Sequence, residues 1–201
     1  MTFVEFYRAV RRRIWSDNTI LLLVRPAGKP LDRSAQKYGP GEIRTVTEKD
    51  LADCAAFEDA AVYAPIYRKM LKKGDVIHFG YLNGKCVYHH AAQCSGDVIF
   101  DGCLVRHLQP GEITTCMSYC APEARGHGFQ QKSLYQMFLT YFDFTSYTLV
   151  RPQNTPSLIA VFRVGYEAHS LLTVKNRFFH RRLTERLLSL EEAEAYIPQK
   201  T

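Results

Sequence analysis

The chain is 201 residues long, 46% apolar and 23% charged, which fits one domain with a substantial core and excludes a disordered chain. Its longest apolar run, "ILLLV" at 20–24, is far too short to cross a membrane as a helix. The net charge of +6 would suit nucleic acid, an acidic surface or a phosphate-bearing small molecule, but no run of five like charges occurs, so no nucleic-acid partner is expected. Six cysteines (Cys54, Cys86, Cys94, Cys103, Cys116 and Cys120) form no CxxC pair and have no matching histidine spacing, so no metal site is expected. The first residues, "MTFVEFYRAVRRRIW", interleave charge with apolar side chains and do not read as a secretory signal. With free thiols, that points to the cytoplasm.

Taken in chain order, Phe3, Phe6, Tyr7, Val10 and Ile14 recur at helical spacing and predict an amphipathic helix. "SDN" breaks it, "TILLLVRP" reads as a short buried strand, and a Pro- and Gly-rich loop over 27–41 follows. Residues 1–41 are therefore read as an extension packed on a domain spanning 42–201. "EIRTVTEKDLADCAAF" reads as a strand, a Thr47 cap and a helix, with a second helix over 64–72. Asn83-Gly84 separates two β-rich runs and predicts a type I′ hairpin. A hairpin or loop over 94–111 leads to the strand "EITTCMSYC". Then come the helix "FQQKSLYQMFLTYF", the strand "SYTLVR", the helix "SLIAVFRV" ending at Gly165, and the strand "YEAHSLLTV". "RFFHRRL" is a candidate return strand, and an acidic helix covers 190–197.

The stretch "APEARGHGFQQ" at 121–131 sits between a strand and a helix, where free amides and the helix N-terminus make an anion site. Gly126 and Gly128 allow close approach to the backbone, and Arg125 can neutralise phosphate. A Walker loop would need GxxxxGK[ST], and a Rossmann turn a third glycine; both are missing.

"PEARGHGFQQKSL" instead resembles the acyl-CoA pyrophosphate loop of the GNAT superfamily of N-acetyltransferases, Gln/Arg-x-x-Gly-x-Gly/Ala. Arg125 and Gly128 match its first two positions, while Gln130 stands where the family has Gly or Ala. "EIRTVTEKDLADC", the Asn-Gly hairpin and "NTPSLIAVFRVGYE" resemble further segments of the family in the same order, covering about 42–175. The resemblance implies an α/β (α+β) fold, with a mixed, mostly antiparallel central sheet flanked by helices. It implies acetyl transfer from acetyl-CoA to an amine, with no metal. By position, Met117, Ser118, Tyr119 and Cys120 would pair with the pantetheine arm in a gap between two strands. The amides of Arg125, Gly126, His127, Gly128, Phe129 and Gln130 would hold the pyrophosphate, and Asn154 and Ser157 would contact the arm from the other side.

The family often carries a tyrosine acid four residues before the closing glycine, and here that position is Val161. Water, Tyr119 or Tyr166 would have to replace it. For the base, Glu112, His89 and His90 are candidates, and strand alternation sends one histidine to each face. Cys116 and Cys120 read as packing residues, since direct transfer needs no thiol nucleophile. The acceptor pocket would be built from loops 57–66 and 94–111. The acceptor's identity and the oligomeric state, dimer included, stay open, as does an alternative reading as a non-catalytic acyl-CoA sensor.

Overall fold

The computed structural model describes residues 15–31, 39–57 and 59–198; the helix expected over 3–14 lies outside them. Strand β1 (Trp15–Arg25) is followed by β2 (Glu42–Thr45), a 3-10 helix (Glu48–Ala56) and α1 (Ala60–Lys72). Next come β3 (Val76–Leu82), β4 (Lys85–Gln93), β5 (Gly96–Phe100), β6 (Cys103–Leu108) and β7 (Glu112–Cys120). The chain continues through α2 (Phe129–Thr140), β8 (Thr145–Val150), α3 (Thr155–Arg163), β9 (Glu167–Arg177), β10 (His180–Leu187) and α4 (Leu190–Glu194). Thr47 caps the 3-10 helix, its amide donating to Asp50 Oδ2 at 2.7 Å. Asn83 and Gly84 take φ of +50° and +77°, the type I′ turn their sequence predicts. Residues 96–108 form a separate two-stranded hairpin, and the terminal helix is shorter than expected, Leu190–Glu194.

Eight strands form one sheet in the order β10-β9-β1-β8-β7-β4-β3-β2. The β7–β8 pair is parallel, and every other neighbouring pair is antiparallel. The strand expected within an extension packed on the domain, β1, runs inside the sheet, bonded to β8 on one side and β9 on the other. The physical reason is two-sided burial of Ile20, Leu21, Leu22 and Leu23. Leu21 and Leu23 join Leu134, Phe138 and Val161 under α2 and α3, while Ile20 and Leu22 join Tyr147 and Leu172 toward the β5–β6 hairpin.

Alternation along β4 separates the two faces. Ala91 packs with Tyr67 and Met70 of α1, whereas Ala92 packs with Leu134 and Met137 of α2. Two glycines set the depth of α2. A Cβ on Gly80 would lie 2.6 Å from Phe129 Cδ1, and one on Gly41 2.6 Å from Phe129 Cζ, so the first ring of α2 fills space that only glycines leave open. The end of α3 is held by Arg25, which is fully buried: its Nε donates to Val164 O at 3.1 Å and its guanidinium lies 4.4 Å from the Phe138 ring centre. Among the described residues no helix is long and apolar enough to cross a membrane, and no group of three His, Cys, Asp or Glu side chains could hold a metal ion.

Candidate active site

The parallel pair β7–β8 is bonded only over its first residues, from Glu112 opposite Thr145 to Thr115 opposite Thr148. Beyond that rung β8 continues with β1, through Leu149 and Val150, while Cys116–Cys120 of β7 keeps β4 as its neighbour. The two strands therefore diverge into a V whose β7 edge is unpaired. A bulge sits at the divergence: the β4–β7 register shifts between His89 and Ala91, and Met117 takes φ of +52°. Bulges bend a strand and turn its side chains, which separates β7 from β8 at this point.

The stretch 121–131 follows at once. Pro122–Ala124 form a single 3-10 turn, Gly126 and Gly128 take φ of +84° and +72°, and Gly128 caps α2 in the left-handed conformation. The first amides of α2 have no acceptor within the helix and face outward with its positive dipole end. Arg125 lies alongside, its Nε donating to Cys120 O at 3.3 Å. A cleft of about 450 Å³ opens here, lined by Cys120, Arg125, Gly126, Gly128 and Gln130, and by Pro156, Ile159, Ala160 and Arg163 of α3. It holds two arginines and no carboxylate. A second cleft, about 570 Å³, lies on the α1 face and is lined by Lys69, Met70, Lys73, Asp75, Gln93 and Asp97 as well as Cys116 and Met117. Both clefts touch the unpaired stretch of β7, from opposite faces of the sheet.

No protein-family model and no curated protein sequence matches the chain. Solved structures do. A GNAT-family protein from Novosphingobium aromaticivorans superposes with a TM-score of 0.53 at 11% identity, over 80% of this chain and 64% of that one. An acetyltransferase from the GNAT family of Colwellia psychrerythraea gives 0.52 at 12%, over 92% and 62%. The ribosomal-protein-alanine N-acetyltransferase of Brucella melitensis gives 0.51 at 18%, over 73% and 99%. This chain has the GNAT fold. It spans less than two thirds of the Novosphingobium and Colwellia proteins.

Within that fold the predicted residues divide. Met117, Ser118, Tyr119 and Cys120 form the open edge of the V, and Ser118 is exposed there. Arg125, Gly126, Gly128 and Gln130 line the first cleft, with His127 beside them packed against Gly39. The Phe129 ring is 3% exposed and stacks on Tyr88, so this residue offers a ligand its backbone amide and not its side chain. Asn154 and Ser157 do not line the cleft; Asn154 Oδ1 accepts from the Ser157 amide at 3.3 Å and caps α3. The cleft instead takes Pro156, Ile159, Ala160 and Arg163 from one face of that helix.

Of the candidate bases, Glu112 and His90 are each engaged by partners away from the open edge of the V. Glu112 starts β7 at the bonded end of the pair, and three donors hold its carboxylate: Arg106 Nη2 at 2.7 Å, Tyr147 Oη at 2.8 Å and the Gln109 amide at 2.9 Å. Burial opposes ionisation, but those bonds outweigh it and keep the carboxyl below its ordinary value. His90 points to the α2 face, 2% exposed, with Nδ1 3.0 Å from Ser133 Oγ, and burial lowers its pKa to about 3. Ser133 Oγ also lies 3.0 Å from Nδ1 of His78, the residue opposite His90 on β3. This buried pair ties α2 to the sheet.

His89 takes the other face, 1% exposed, and meets β7 at the bulge. Its Nδ1 lies 2.9 Å from the carbonyl oxygen of Met117, the bulge residue, and 2.6 Å from Tyr67 Oη. A carbonyl only accepts, so Nδ1 carries the proton and Nε2 is the bare basic nitrogen. That Nε2 is buried without a hydrogen-bond partner. Burial lowers the pKa of His89 to about 4, so the ring stays neutral through the physiological range. Tyr119, a candidate acid, stacks on it at 5.6 Å between centroids. Tyr166 is locked between the strands, 2.6 Å from Ser146 Oγ and 3.3 Å from Thr115 Oγ1, and burial raises its pKa to about 12. Val161 is core. Burial also pushes the Cys116 thiol up to about 12 and raises that of Cys120, which leaves little thiolate on either.

Proposed function

We propose that the chain is an acyl-CoA-dependent N-acyltransferase, with acetyl-CoA as donor and a small polar amine, such as an amino acid or amino sugar, as acceptor. One observation carries the reading: two clefts on opposite faces of the sheet meet at the same unpaired stretch of β7. The arginine-lined cleft suits a pyrophosphate, held by the amides of 126–130, Arg125 and Arg163. The pantetheine arm then runs into the V and bonds to the free edge of Met117–Cys120, which brings its thioester to the bulge. The α1-face cleft has small-molecule size, and its Lys69, Lys73, Asp75 and Asp97 suit an acceptor carrying both charges.

The amine attacks the thioester carbon from that face, a nitrogen–carbon bond forms, and the open β7 edge steadies the oxyanion by N–H donation. The nitrogen passes its proton to water, the carbon–sulfur bond breaks, and the CoA thiolate takes a proton from water in turn, since Val161 supplies none. A second reading, an acyl-CoA sensor without turnover, draws on Val161 in the acid's place and on the engaged carboxylate of Glu112. Thiol release from acetyl-CoA across a panel of amino acids and amino sugars separates them. Turnover on one class establishes the transferase, whereas CoA binding without thiol release on any amine establishes the sensor.

A further inference from the structure

Three hairpins in this fold close with the same pair of left-handed residues, and one of them uses the wrong side chains for it. Asn83-Gly84 takes φ of +50° and +77°, and Asp101-Gly102 takes +47° and +77°. These are the residue pairs that type I′ turns favour. The β9–β10 turn repeats the geometry at φ of +49° and +70°, but its residues are Phe178 and Phe179. Bulky side chains rarely adopt this conformation because Cβ crowds the following carbonyl. The strain gains little burial in return, since Phe178 is 66% and Phe179 74% exposed. Strain with so little internal benefit points to a use outside the fold.

The surroundings define that use. Trp15 is 53% exposed, its ring edge-on to Phe178 at 6.1 Å, with the Arg177 guanidinium 4.1 Å from its ring centre. Arg181 and Arg182 follow on β10, and Arg182 stands directly opposite Lys175, a like-charge pair that weakens the hairpin. Asp17, paired with Arg177, and Asp101, bonded to Asn18, are the acids near the tip. The result is a convex knob with an aromatic apex and a cationic collar.

We propose that this hairpin tip docks the protein on an anionic bilayer surface. The three rings sit at the headgroup–acyl boundary, and Lys175 and Arg182 reach the lipid phosphates, while Arg181 is held by Asp101 O of the neighbouring turn. A convex apolar tip needs no matching pocket in a soft interface, whereas a protein partner would have to provide one. A symmetric contact between two copies would bring two cationic collars together. The modest overall charge of +6 is a small footprint for nucleic acid.

The test uses the full chain with vesicles of phosphatidylcholine alone or mixed with phosphatidylserine, and the single tryptophan, Trp15, is a built-in reporter. The expected result is co-sedimentation with the mixed vesicles and a blue shift of Trp15 emission, both reduced by salt. Phe178→Asn with Phe179→Gly writes the favoured type I′ pair into the same turn, so the variant folds with an unchanged or raised melting point and loses binding by about tenfold or more. Arg182→Ser lowers the preference for phosphatidylserine. Three results would overturn the proposal: no binding to mixed vesicles, binding that the Asn-Gly variant retains, or a solution dimer or a DNA complex that the variant abolishes.

Discussion

Gly80→Ala tests whether the start of α2 is positioned by the space above β3. The new methyl would lie 2.6 Å from Phe129 Cδ1 and 2.8 Å from Tyr88 Cβ. Ordinary carbon contacts are about 3.5–4.0 Å, so the Phe129 ring must retreat by about 1 Å. Phe129 is the first residue of α2, whose opening amides border the arginine-lined cleft, so the displacement passes directly to that cleft. Overpacking of this kind costs about 1–3 kcal/mol. At about 2 kcal/mol a chain of this size loses roughly 4–8 °C of melting temperature. Calorimetry measures that loss, and titration with acetyl-CoA measures an accompanying drop in affinity of about tenfold, ~1.4 kcal/mol. Adding Phe129→Leu removes the clashing ring atoms and restores part of both, with a coupling of about 1 kcal/mol in the double-mutant cycle. A melting temperature within about 1 °C of wild type, with unchanged affinity, would refute the reasoning.

Other expectations follow from the same geometry. Arg125→Ala and Arg163→Ala each weaken acetyl-CoA binding by about tenfold at low salt and less at high salt, as read by calorimetric titration. Gln130→Gly, which restores the family's small residue, leaves that affinity equal or higher. Asn154→Ala removes the α3 cap and costs about 1 kcal/mol of stability in a thermal melt, with acetyl-CoA affinity within about twofold. His78, His89 and His90 are buried with pKa values lowered to about 4, 4 and 3. The unfolded chain titrates them near 6.5, so it binds more protons below that pH, and stability is full above about 6.5 and falls as pH drops toward 4. At pH 5 the loss is about 2 kcal/mol per histidine, and His78→Gln lowers the slope of stability against pH by about one proton.

Much of the architecture is legible locally. The Asn83-Gly84 turn, the Thr47 cap and the strand–loop–helix around Gly128 each depend on residues a few positions apart, so their chemistry is visible in sequence. Long-range pairing is not. Nothing in "ILLLV" names β8 and β9 as its neighbours, although an apolar run with no polar alternation is the mark of a strand buried on both faces. The histidines show the same limit. Alternation separates His89 from His90, but the face that meets the V depends on where α1 and α2 pack. Glu112 looks available until Arg106, across the turn before β7, and Tyr147, distant in sequence, are seen to hold it. Arg163 had a signal that was missed: Pro156, Ile159, Ala160 and Arg163 recur at helical spacing on one face of α3.

The claim at the centre of this account is that the V and the loop before α2 bind an acyl-CoA. A thermal-shift titration with acetyl-CoA and desulfo-CoA tests it without knowledge of the acceptor. At a hundredfold excess over Kd the expected stabilisation is about 2.7 kcal/mol, a rise of roughly 5–10 °C, with both ligands and reduced in Arg125→Ala. No rise with either ligand would contradict it.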